Sequence, residues 1–183
     1  MSIKKSLQER AKLLTGIAHP DDREMLDRAA FERFGNHYLT IGQSDIIMRI
    51  IGLYGHSNCG KSATLNYLKE LLRAEGRSIS SKPHPNTDEP ETFEYKGLIV
   101  CVAPGGDNEE VIENNVCYFK SKNCDIAISA TRCKGGSVTE LQKYEKEMGV
   151  KIKWEPKSYE YNLSDTTKHQ CNQETAHYLF SLL

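Results

Sequence analysis

The stretch Ile46-Ile47-Met48-Arg49-Ile50-Ile51-Gly52-Leu53-Tyr54-Gly55-His56-Ser57-Asn58-Cys59-Gly60-Lys61-Ser62 decides the fold. A β-branched apolar run breaks at a glycine, and the helix-forming segment Ala63-Thr64-Leu65-Asn66-Tyr67-Leu68-Lys69-Glu70-Leu71-Leu72 follows at once. Strand, tight loop and helix are the local order expected. The glycines permit positive φ, so backbone N–H groups can turn inward as a nest. The first turn of the helix adds free N–H groups and the positive end of its dipole. The spacing Gly55-x-x-x-x-Gly60-Lys61-Ser62 then sets an ammonium and a hydroxyl at the nest, which suits phosphate oxygens and a magnesium ion. A plain glycine turn between a strand and a helix needs neither the lysine nor the serine.

With Asn58 and Asn66, this run resembles the P-loop NTPase superfamily, and in particular its translation-factor-type GTPase branch. The resemblance is specific from Gly55 to Asn66 and only topological beyond. It implies a P-loop NTPase-like three-layer α/β sandwich, with a mainly parallel sheet and one antiparallel hairpin strand. It also implies a nucleoside-triphosphate site formed by Gly55, His56, Ser57, Asn58, Cys59, Gly60, Lys61, Ser62 and Ala63. Lys61 is the catalytic candidate there, and Ser62 the first ligand for Mg²⁺ as cofactor.

After the helix, which Gly76 ends, residues 77–91 are polar, are broken by Pro83, Pro85 and Pro90, and read as a loop. Thr92-Phe93-Glu94-Tyr95, a Lys96-Gly97 turn and the apolar Leu98-Ile99-Val100-Cys101-Val102 form an expected hairpin with a buried second strand. The layout is similar to the switch regions of GTPases, with Thr87, or alternatively Thr92, where a switch threonine meets metal and outer phosphate. The second strand runs into Ala103-Pro104-Gly105-Gly106-Asp107. The resemblance implies an Asp-x-x-Gly here. Aligning Gly105 with its phosphate-sensing glycine puts Val102 where the aspartate belongs. Either Asp107 supplies the carboxylate, as metal ligand and catalytic group, or metal handling is weak and turnover slow. Asp107 also suits the N-cap of the helix that follows.

That helix is expected over 108–121, followed by a buried strand, Asp125 to Thr131. Arg132-Cys133-Lys134-Gly135-Gly136 then lies at the carboxyl edge where such sheets bind ligands. Arg132 either touches base or phosphate or caps a surface carbonyl. A helix from Ser137 to Met148, a half-buried strand through Trp154 and a closing helix over 173–183 complete the domain. The Asn-Lys-x-Asp sequence by which GTPases select guanine is absent. Its places hold Thr131-Arg132-Cys133-Lys134 or Trp154-Glu155-Pro156-Lys157, which favours ATP over GTP as the partner nucleotide.

Residues 1–44 read as a helical extension and 45–183 as the nucleotide-binding domain. Within the extension, Ser6 to Leu14 suits a short helix. Met25, Leu26, Ala29, Ala30 and Phe34 recur at helical spacing opposite a charged face, before a stop at Gly35. That helix is either a brace on the sheet or a protein-partner surface. A net charge of −1 provides no overall field for nucleic acid or anionic membrane, and no apolar run is long enough to span a bilayer. The N-terminus lacks a signal-peptide core. Six cysteines without metal-ligand spacing fit a reducing cytoplasm, and the pair His169 and Cys171 is too slight to suggest a metal. Three functions remain open: slow Mg²⁺-dependent hydrolysis of a nucleoside triphosphate as a conformational switch, a small-molecule or nucleotide kinase with His84, Asp88 and Glu91 near its acceptor, and a nucleotide-gated binding module with little turnover.

Overall fold

A computed structural model describes residues 22, 25, 26, 28–30, 33, 48–80, 87–159 and 163–183. The chain divides into two compact units, Met1–Ile46 and Ile47–Leu183. In the first, Asp22, Met25, Leu26, Arg28, Ala29, Ala30 and Arg33 are helical, as the periodicity predicts. Ala30 is buried, whereas Met25 and Ala29, placed on the same apolar face, are exposed. The expected helix over 6–14, Phe34, Gly35, His84, Pro83 and Pro85 lie outside the described residues.

The second unit is a six-stranded mixed sheet: β1 (Arg49–Tyr54), β2 (Arg77–Ser78), β3 (Glu91–Tyr95), β4 (Leu98–Ala103), β5 (Ile126–Thr131) and β6 (Ile152–Pro156). Their order is β2-β3-β4-β5-β1-β6. β4, β5, β1 and β6 run parallel, while β3 is antiparallel to both β2 and β4. Four helices accompany it: α1 (Lys61–Glu75), α2 (Glu109–Lys122), α3 (Gly136–Met148) and α4 (Asp165–Ser181). None of the described helices is long and apolar enough to cross a membrane.

Side-chain alternation along the strands builds one apolar cluster on each face. Ile51 and Leu53 of β1, with Val100, Val102, Ile126 and Ile128, pack on Leu65, Leu68 and Leu72 of α1 and Ala176 and Leu179 of α4. Ile50, Cys101 and Ala127 point the other way, onto Ile112, Val116 and Phe119 of α2 and Leu141 and Tyr144 of α3. β1 and β5 are neighbours, yet β1 leads to α1 on one face and β5 to α3 on the other. Their following loops therefore diverge, and a crevice opens at their carboxyl ends.

Three elements differ from the sequence expectation. Arg77 and Ser78, expected in a loop, pair with Glu94 and Phe93 as β2, and Ile79 N–H continues the pairing to the Thr92 carbonyl at 3.0 Å. α4 begins at Asp165, two turns before the expected Gln173, capped by Ser164 accepting from Thr167 N–H. The N-cap of α2 is Asn108, whose side chain accepts from Val111 N–H, so Asp107 is not the cap.

Glu91, expected at the end of a solvated loop, is a buried strand residue. Arg73 Nε and Nη2 donate to its two carboxylate oxygens, Ser78 Oγ donates at 2.9 Å, and Lys69 Nζ lies 3.9 Å away. The buried Lys69 also donates to the Thr87 and Glu89 carbonyls. Burial holds its ammonium below the usual lysine range, partly offset by Glu91. The network ties α1 to the segment 87–91. Removing its carboxylate strands two cations beside it, so Glu91→Ala should lower the unfolding free energy by about 3–5 kcal/mol. Urea titration of the variant checks this, and a loss under about 1 kcal/mol would show that the network contributes little.

Candidate functional site

The crevice beyond β1 and β5 contains a cleft of about 360 Å³. Its floor is the glycine loop and the start of α1, Ser57 to Ala63. Pro104, Gly106 and Asp107 from the loop after β4, and Ala130, form one side; Tyr159 and Lys168 form another. The loop turns through two left-handed residues, Asn58 (φ 57) and Gly60 (φ 84). Asparagine tolerates this region better than most residues. At Gly60 a side chain would be strained, because the backbone is left-handed and a Cβ would lie 2.0 Å from the Tyr159 hydroxyl and 2.4 Å from Asn172 Oδ1. Gly60 is also the N-cap of α1 and has no side chain to bond the first N–H groups of that helix.

Lys61 is 6% exposed. The sequence predicts that it projects from the loop towards ligand, and the structure instead buries it. Its Nζ curls back under the loop and donates to the carbonyls of His56 at 2.7 Å and Gly55 at 3.1 Å, 3.8 Å from Cys59 Sγ. Two main-chain carbonyls thus hold the lysine amine beside the cleft. Ser62 Oγ donates to the Pro104 carbonyl at 3.1 Å, linking the loops after β1 and β4.

The loop after β4 is fixed from below. A Cβ on Gly106 would lie 1.9 Å from the Ala130 carbonyl oxygen, so the backbone passes directly over β5. Asn115 Nδ2 donates to the Gly105 carbonyl at 2.8 Å, and Gly105 N–H reaches the Asp88 carbonyl at 3.3 Å. Val102, at the place where the sequence pattern calls for an aspartate, is fully buried in the apolar core. Asp107 is the one carboxylate among the described residues lining the cleft, and its side chain is 71% exposed. Arg132 Nε stands 3.0 Å from Asp107 Oδ1, but its N–H is not aligned for a hydrogen bond, so the contact is purely ionic.

Of the sequence-selected residues, Ser57, Asn58, Cys59, Gly60, Lys61, Ser62, Ala63 and Asp107 line this one cleft. Gly55 and His56 lie outside it and contribute the carbonyls that hold Lys61. Arg132 reaches the site only through Asp107 and lines an adjacent cleft with Tyr54 and Trp154. Gly105 faces a further cleft beside Asp88 and Asn115. Thr87 does not line the glycine-loop cleft, and its carbonyl accepts from Lys69. Thr92 is buried in β3, its hydroxyl 2.6 Å from that of Tyr118. No group of three His, Cys, Asp or Glu able to hold a metal occurs among the described residues. An ion between Ser62 and Asp107 would therefore depend on ligand and water oxygens for most of its coordination, which Mg²⁺ accepts.

Tyr159, Asn172 and Lys168 were not selected from the sequence. Tyr159 donates to Asn172 Oδ1 at 2.9 Å, and Thr64 Oγ1 donates to the same oxygen at 3.3 Å. Lys157 N–H donates to the Tyr54 carbonyl at 2.7 Å, and its Nζ donates to Cys171 O and Thr175 Oγ1. Burial holds that ammonium below the usual lysine range. The segment after β6 is thereby fastened to both the glycine loop and α4. Gly60→Ala should cost at least about 1–2 kcal/mol from the left-handed backbone alone, with a further penalty for displacing Tyr159. Thermal unfolding checks this, and an unchanged melting temperature would contradict the close contact.

Comparison of the chain with protein-family models, with curated proteins and with solved structures finds no match.

Proposed function

We propose that the protein binds a nucleoside triphosphate, ATP in preference to GTP, together with Mg²⁺, and hydrolyses it slowly to switch conformation. On this reading it is a P-loop NTPase-like protein. The observation that carries the reading is the placement of Lys61. Its ammonium is buried against two main-chain carbonyls at the amino end of α1, where the N-cap Gly60 has no side chain to bond the first N–H groups. Cation, helix dipole and amide nest all favour an anion at one place. A phosphate oxygen would replace the His56 or Gly55 carbonyl as partner of Nζ and form the stronger, charge-assisted bond.

Ser62 on the floor and Asp107 on one side of the cleft suit a hydrated magnesium ion carried in with the nucleotide. When bound, that ion neutralises phosphate charge. Asp107 would exchange its ionic contact with Arg132 for the metal's water shell and hold a proton-accepting oxygen near the outer phosphate. Slow turnover follows from Val102, because no buried carboxylate orients this arrangement from the strand end. The choice of ATP rests on the loop after β5. There Arg132, Cys133 and Lys134 provide no carboxylate to pair with guanine N–H groups.

A nucleotide-gated binding module is the second reading, favoured by the same buried valine. The kinase reading loses support because Glu91, one of its acceptor-side candidates, is engaged by Arg73, Lys69 and Ser78.

Titration of labelled ATP and GTP is the first test, and ATP should bind more tightly. Lys61→Ala should weaken ATP binding by about 10–100-fold with the fold retained by circular dichroism; unchanged affinity in a folded variant would remove the assignment. Asp107→Asn should reduce Mg²⁺-dependent turnover about tenfold, some ~1.4 kcal/mol of transition-state stabilisation. Its stability should barely change, since the exposed contact with Arg132 contributes little. Unaltered turnover would exclude a catalytic role for Asp107, and a wild type without turnover would favour the binding module.

A further inference from the structure

We propose that Lys168 is a second phosphate-binding cation of this cleft, presented by α4, and that it exchanges Asp165 for a phosphate oxygen when a triphosphate enters. The inference rests on the triphosphate reading above and deepens it, since it brings the C-terminal helix into the binding site.

The placement follows from one face of α4. Leu179, Ala176, Asn172 and Lys168 are spaced three, four and four residues apart, which sets them in a single stripe. Leu179 and Ala176 are buried against the leucines of α1. Asn172, 3% exposed, is the polar anchor, holding Thr64 and Tyr159 on its Oδ1 against the Cα of Gly60. One turn earlier, about 6 Å along the axis, the stripe reaches Lys168 at the rim of the glycine-loop cleft. Side chains on a helix lean toward its amino end, which carries the ammonium beyond Asn172 and over the cleft. Rigid packing of the lower half of α4 thus fixes where its upper half delivers charge.

The present partner of Lys168 is weakly competitive. Its Nζ is 2.9 Å from Asp165 Oδ1, a pair three residues apart on the helix surface, with the aspartate side chain 91% exposed. The lysine holds the Asp165 carboxyl below the usual carboxylate range. Exposed pairs of this kind contribute little, whereas phosphate offers an ammonium a charge-assisted bond within a cleft. Opposite Lys168, Asp107 is the only acidic side chain among the described lining residues. Two lysines on elements distant in sequence therefore face one polyanion site.

Inorganic tripolyphosphate tests this without dependence on the base, by calorimetric titration of the full chain and of Lys61→Ala, Lys168→Ala, Lys168→Arg and Asp165→Asn. Lys168→Ala should bind about tenfold more weakly and show a shallower dependence of affinity on salt. Lys168→Arg should remain within about twofold of wild type, because guanidinium also binds phosphate. Asp165→Asn should bind as tightly as wild type or more tightly, having lost the competing carboxylate. Equal melting temperatures would establish that these are not folding effects. Wild-type affinity in Lys168→Ala, or an equal loss in Lys168→Arg, overturns the proposal. If Lys61→Ala alone loses affinity, only the role of Lys168 falls; if the wild type binds no tripolyphosphate, the phosphate reading falls with it.

Discussion

The turn at Gly60 is the constraint on which the rest of the site depends. Its backbone is left-handed, and the space a Cβ would occupy is filled by the Tyr159 hydroxyl and Asn172 Oδ1. Three separate parts of the chain meet there: the glycine loop with the first turn of α1, the segment after β6 and the middle of α4. Because the contact is van der Waals and hydrogen-bonded at once, the loop has little freedom to drift from the sheet. Lys61 comes immediately after Gly60, so the same turn sets the start of α1 and directs the lysine back under the loop.

The opposite wall has its own fixings. Gly106 passes over the Ala130 carbonyl, Asn115 holds Gly105 from α2, and Ser62 bridges to Pro104. The Ser62 contact joins the two loops at the ends of β1 and β4 by a hydrogen bond rather than by apolar packing. Such bonds can be exchanged for bonds to a ligand at modest net cost, which a hydrophobic interlock would not allow. Farther down α1, the half-buried Arg73 holds Glu91, and the buried Lys69 beside it holds the carbonyls of Thr87 and Glu89. A displacement of α1 on ligand binding would therefore reach segment 87–91 through these contacts. That gives the proposed switch a physical connection without requiring Thr87 itself in the cleft.

The glycine loop was legible in the sequence because its chemistry is contiguous. Gly55, Gly60, Lys61 and Ser62 are close neighbours between a strand and a helix, and local sterics dictate much of their geometry. The all-apolar β4 and the largely apolar β5 were equally clear, since both strands are buried. β2 was not, because two residues acquire strand character only by pairing with β3, a non-local event. The first turns of α4 escaped for a related reason. Asn172 and Lys168 continue the stripe of Ala176 and Leu179, but as polar residues they interrupt an apolar periodicity although they serve the site. Asp107 and Asn108 are both good helix caps, and sequence alone does not choose between adjacent candidates. The curl of Lys61 onto the loop carbonyls depends on three-dimensional proximity that its spacing does not encode.

The chemistry proposed for the cleft is anion binding between two lysines and an amide nest, with Asp107 the acidic counterweight. The most direct test is an amide-resolved NMR titration of the full chain with Mg²⁺-ATP. The account predicts that the largest shifts fall on Ser57 to Ala63, with further shifts at Gly106, Asp107 and Lys168, and that α3 stays nearly still. Shifts scattered over the surface, or a glycine loop that does not respond at saturating nucleotide, would contradict it.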